Sequence, residues 1–136
     1  MKNLIVLSLV AATVSMAGCR YTTATGTGDR SISIVRPLDQ TLRRGEINRV
    51  AVTVLRRGFR SDILIEFDGL PSGVKVIETA RRYAESDIFV SYTLYAANDA
   101  PAVHEALVTV TAKGPGGLSA SEIFQVTVKA EETGMK

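Results

Sequence analysis

The chain has 136 residues, with 16 Lys or Arg against 14 Asp or Glu and a formal net charge of +2. That length supports one domain with its own core but not two, and so even a balance excludes gross affinity for nucleic acid. The one cysteine, Cys19, excludes an internal disulfide, so the core must be stable through burial alone.

The chain begins with Lys2 as a short positive region, then an apolar run from Leu4 to Val14, then small residues before Cys19. This is signal-peptide architecture over residues 1–18, and the run falls short of the roughly 20 residues that span a bilayer. Met16-Ala17-Gly18-Cys19 resembles the lipobox of bacterial lipoproteins, with Met16 where leucine is commonest. The resemblance implies diacylglycerol on the Cys19 thiol, cleavage before it, and a further acyl chain such as palmitate on the new amino group. At about 0.8 kcal/mol per buried methylene, two or three such chains hold a protein essentially permanently. The resemblance also implies a bacterial envelope. Arg20 follows the cysteine where Asp would favour the inner membrane, which implies the outer membrane, facing periplasm or cell surface. The plainer alternative is a secretory leader cut nearby, with Cys19 a free thiol.

Residues 19–30 are expected to be a flexible tether, because Tyr21 to Arg30 is Thr- and Gly-rich with no apolar periodicity. Such a segment starting at Arg20 and fully stretched would reach about 40 Å. From Ser31 the pattern changes to short runs rich in Val, Ile, Thr and aromatics, at 31–36, 48–56, 62–68, 74–79, 87–96, 104–112 and 122–129. The alternation has period two: Val50, Val52 and Val54 share one face, as do Ile63, Ile65 and Phe67, or Phe124, Val126 and Val128. Seven such runs over about 100 residues predict an all-β, seven-stranded antiparallel sandwich of immunoglobulin-like type over 31–129, followed by a tail at 130–136. A barrel is the alternative. The turn Leu70-Pro71-Ser72-Gly73-Val74 and the run Phe124-Gln125-Val126-Thr127-Val128 resemble segments of bacterial extracytoplasmic immunoglobulin-like and fibronectin-like modules.

The charges are unevenly spread. From Arg20 to Arg60 there are nine basic and three acidic residues; from Ser61 onward there are six and eleven. With sequential strands antiparallel, the loops at 56–61, 79–86 and 113–120 share one end of the sandwich. Arg56, Arg57, Arg60, Arg81, Arg82 and Lys113 then converge, with Phe59 and Tyr83 between them. A tether running into Ser31 would also arrive there and turn this end toward the membrane. The planar guanidinium suits phosphate, so the expected partners are anionic headgroups, another envelope protein or a glycan. The plainer reading is solvated loop residues, some paired locally as Arg81 with Glu85.

Chemistry for catalysis is missing. His104 is the one histidine, and Glu105 beside it on a strand is expected to face the other way. Asp62, Glu66 and Asp68 alternate along one strand face, unlike a calcium loop. The Gly114-Pro115-Gly116-Gly117 turn opens no helix, so phosphate-loop logic fails. No enzyme activity, cofactor or metal is expected. The sequence points to a non-catalytic, membrane-anchored interaction module. The alternative is a structural subunit that docks by strand addition into an envelope or secretion assembly.

Overall fold

The computed structural model describes residues 20–78, 82–83 and 89–130, with the backbone alone at 82–83. The leader with Cys19, Arg81, Glu85 and the end of the tail therefore lie outside the described residues. Among the described residues ten strands follow in chain order: β1 (Tyr21–Thr25), β2 (Ser31–Val35), β3 (Gln40–Arg43), β4 (Ile47–Arg57), β5 (Ile63–Asp68), β6 (Val74–Val76), β7 (Arg82–Tyr83), β8 (Phe89–Ala96), β9 (Val103–Lys113) and β10 (Ser119–Lys129).

They form two five-stranded sheets, ordered β1-β2-β4-β8-β6 and β3-β10-β9-β5-β7. The sequence alternation explains which faces meet. Val50, Val52 and Val54 from β4, Val90, Tyr92 and Leu94 from β8, and Phe124, Val126 and Val128 from β10 are all buried between the sheets. Phe67 stacks edge-on against Tyr92 at 5.1 Å and against Phe124 at 6.2 Å, joining the two layers at the centre. The order β2-β4-β8-β6 opposite β10-β9-β5 reproduces the A-B-E-D and G-F-C sheets of an immunoglobulin-like sandwich. The expected fold class is therefore the observed one.

Three strands were not anticipated. β3 lies in the polar stretch after Pro37, where Leu42 alone is fully buried, and it pairs with β10 in parallel. Pro37 ends the first pairing, and the chain crosses to the other sheet without reversing, so the sandwich is not wholly antiparallel. Hydrogen bonds hold this crossover: Arg36 Nε donates to Ile123 O at 2.8 Å, and Asp39 accepts from Arg36 at 2.9 Å and from the Gln125 amide at 2.8 Å. β7 is a two-residue pairing with β5.

The largest difference is β1. Tyr21–Thr25, expected within the flexible tether, pairs antiparallel with β2, from Tyr21 opposite Val35 to Thr25 opposite Ser31. Gly28 and Asp29 both have positive φ, 68° and 60°, and Arg30 N donates back to Thr27 O. That is the signature of a type I′ hairpin turn, for which Gly and Asp are well suited. β-Branched threonines at 22, 23 and 25 then run back along the edge of the sheet. A polar, threonine-rich segment can satisfy its backbone along a free sheet edge without burying apolar side chains.

Candidate functional site

The β1–β2 turn at 26–30, the β4–β5 loop at 58–62 and the β9–β10 turn at 114–118 converge at one end of the sandwich. Their contact is close. Gly58 has φ +84°, and a Cβ there would meet Asp29 O at 2.9 Å and Arg30 Cα at 3.1 Å. The β4–β5 loop can approach the hairpin backbone only because residue 58 is glycine.

The residues expected at this end have different roles. Phe59 is half-buried, packs against the core, and lies against Gly114, where a Cβ would sit 3.2 Å from the ring. It caps the core more than it presents a surface. Arg56 donates to Ser61 O, and its guanidinium carbon lies 5.8 Å from the Phe59 centroid, which shapes the loop. Lys113 reaches Glu66 Oε1 at 2.9 Å across the outer face of the second sheet. The hydrogen bond and the charge of Glu66 raise the Lys113 pKa above 10.5. Lys113 is thus offset by a carboxylate that the sequence reading left solvated. Arg57 and Arg60 are exposed. Arg82 and Tyr83 are held at this end by pairing with Leu64 and Ile63, while Arg81 lies outside the described residues.

One basic residue was missed. Arg30, assigned to the tether, lies half-buried in a groove of about 190 Å³ between the hairpin turn and Pro115–Gly117. Its Nη1 would be 3.8 Å from a Cβ on Gly116. The Thr-Gly-Asp-Arg turn between two threonine- and serine-rich stretches was the available hairpin signal.

The hairpin also reverses the geometry expected of the N-terminus. Arg36 N donates to Arg20 O at 2.7 Å, so Arg20 sits one strand length from the basic end. Five residues of extended chain make that separation about 17 Å. The chain comes to the basic end from the body of the sandwich and does not enter there.

Glu105 has φ 54°, where the β9–β10 register shifts, and this brings its carboxylate 3.5 Å from His104 Nε2. A bulge re-aims the side chain, so strict alternation fails there. Both side chains are exposed, and they form an ion pair when the imidazole is protonated. A concavity of about 330 Å³ opens between β5 and β6, lined by Phe67, Leu70, Val76, Glu78 and Tyr92 among others. The Glu78 carboxylate accepts from Thr93 N at 2.7 Å and Thr93 Oγ1 at 2.8 Å, which ties the end of β6 to β8. Among the described residues no group of three or more His, Cys, Asp or Glu could hold a metal. No helix among them is long and apolar enough to cross a membrane.

No protein-family model and no curated protein matches the chain. Similar solved structures include a chimeric titin Z1Z2 carrying an exogenous decorin peptide, at 15% identity over 84% of this chain and 99% of that one, TM-score 0.44. A complex of titin M10 with an obscurin-like 1 immunoglobulin domain matches at 15% identity over 72% and 91%, TM-score 0.43. The titin M3 domain matches at 19% identity over 69% and 91%, TM-score 0.41. These likenesses concern the fold alone; strand order and register carry the assignment.

Proposed function

We propose that this chain is a non-catalytic binding module, held in the bacterial envelope by a lipid on Cys19, whose arginine-bearing loop end takes an acidic partner. The observation that supports it is the meeting of the β1–β2 turn, which carries Arg30, with the end of β4 and the β4–β5 loop, which carry Arg57 and Arg60, braced by Gly58 and Phe59. The loops rest on a rigid sandwich, which keeps the cost of ordering them on binding low. Guanidinium groups on separate loops match carboxylates or phosphates of a protein or glycan. The lipobox resemblance supports anchoring, and Arg20 supports the outer membrane. Partner capture, not chemistry, is the activity.

In-cell cross-linking followed by mass spectrometry tests the reading. The wild-type chain should yield an envelope partner that is lost in the Arg30→Ala/Arg57→Ala/Arg60→Ala variant, with fold and lipidation unchanged. The same partner recovered equally from both proteins overturns it. Intact-mass measurement of the detergent-extracted protein tests the anchor: acyl chains should be present on wild type and absent from Cys19→Ser.

A further inference from the structure

We propose that the outer face of the β1-β2-β4-β8-β6 sheet lies flat against an anionic phospholipid bilayer. This rests on the lipid anchoring proposed above, and three observations on the sheet itself point to it.

The first is apolar exposure. Of nine large hydrophobic residues exposed among the described residues, Tyr21, Ile47, Leu55, Ile77 and Phe89 all belong to this sheet's outer face, each more than half exposed. The register sets them out as a surface. Phe89 stands opposite Thr53, next to Leu55 along the outer face, while Ile47 stands opposite Tyr95 and Ile77 N bonds to Thr93 O. Small residues, Ala51 opposite Ser91, lie between them, so no bulky side chain stands above the backbone there. Apolar and aromatic side chains on an otherwise hydroxyl-rich face suit the boundary between headgroups and acyl chains.

The second is charge. These five strands contain no Asp or Glu, and Arg49, Arg57 and Lys75 point outward. Glu78 reaches the face from beyond β6, with its carboxylate hydrogen-bonded by Thr93. Long basic side chains can lay their stems on the apolar surface and carry their charges to phosphate. The outer face of the other sheet differs: Glu66 and Asp68 project there, Glu66 paired with Lys113. A second copy packed through this same face would set like charges together, whereas an anionic bilayer complements them.

The third is the place where the chain reaches the sheet. β1 is an edge strand of this sheet and begins at Tyr21. A lipidated Cys19 is two residues away, so its Cα lies within about 7 Å of that of Tyr21. With β1 paired, no long tether separates lipid from domain. The sandwich must rest on the membrane, and the sheet nearest the anchor carries the apolar, basic face.

Because the chain contains no tryptophan, a single introduced indole is a clean depth reporter. The full chain, purified with its lipid, is placed in vesicles of phosphatidylglycerol and phosphatidylcholine with acyl-brominated lipid as quencher. Phe89→Trp should lose fluorescence and shift to the blue. Leu107→Trp on the opposite sheet and Asp99→Trp at the far end should do neither. Equal or greater quenching at 107 or 99, or none at 89, overturns the proposal. Arg49→Glu with Lys75→Glu should abolish the signal of Phe89→Trp on anionic vesicles; a signal unchanged by that reversal also overturns it. A parallel arm carries Cys19→Ser and holds the chain through a C-terminal hexahistidine on nickel-chelating lipid. Retained quenching at 89 in this arm supports the face even if intact mass shows no lipid on wild type. Its loss in both arms removes the face while leaving lipidation, read by mass, standing.

Discussion

Replacing Gly58 by alanine tests whether the first ten residues of the domain are folded. At φ +84° an L-residue costs about 1–2 kcal/mol from its own backbone. The added Cβ would also stand 2.9 Å from Asp29 O and 3.1 Å from Arg30 Cα, both main-chain atoms that cannot rotate away. Moving the hairpin or the β4–β5 loop by a few tenths of an ångström adds about 1 kcal/mol, by the scale of overpacking in tight sites. Gly58→Ala should therefore cost about 2–3 kcal/mol. Gly28 supplies the control, since it too has positive φ, +68°, yet nothing lies within 4 Å of its would-be Cβ. Gly28→Ala should cost only the backbone part, about 1–2 kcal/mol. Urea unfolding followed by circular dichroism reads both as shifts in midpoint with the slope unchanged. At about 4 °C per kcal/mol for a domain of this size, thermal melts should separate the two variants by several degrees. Equal losses would refute the reasoning: the hairpin would then not be packed against the β4–β5 loop, and residues 20–30 would be the tether that their composition suggests.

Two further outcomes follow. The Arg36 amide, which donates to Arg20 O at 2.7 Å, should exchange with deuterium far more slowly than an unstructured amide; exchange at the coil rate would remove β1 from the sheet. The Lys113–Glu66 pair should make a small, pH-dependent contribution, because both groups are substantially exposed. Its sign follows from a lysine pKa raised above 10.5 by Glu66. The contribution is present below the unfolded lysine's pKa and is lost as pH rises through the folded value. Glu66→Gln should thus lower the urea midpoint at pH 7, and the difference from wild type should vanish at strongly alkaline pH. A difference that persisted there would mean that Glu66 acts through some other contact.

Much of the core was legible because alternation is a local property. Val50, Val52 and Val54 must face one way in any extended strand, and so must Val90, Tyr92 and Leu94; the structure buries all six. The same logic failed at His104 and Glu105, where a positive-φ residue breaks the period of two. It was silent for β3, since a four-residue strand with one buried residue, Leu42, carries no period to read. At the loop end, Arg56 and Arg57 close β4 and Arg60 follows on the β4–β5 loop, but Phe59 packs against the core and Lys113 takes a carboxylate. Those are pairings between residues distant in sequence, decided by cross-strand register. Arg30 was hidden by the assignment of its segment to the tether.

Strand alternation, the exclusion of an internal disulfide and the distribution of charge along the chain follow from residue type and near neighbours alone. The return of Tyr21–Thr25 onto β2, the position of Arg30 at the basic end and that of Arg20 a strand length away depend on contacts between segments distant in sequence. A threonine-rich segment is equally compatible with coil and with strand. What selects the strand is an available sheet edge and a turn with two positive-φ residues, together with the Gly58 contact that seats that turn. The edge and the Gly58 contact exist only after the chain has folded.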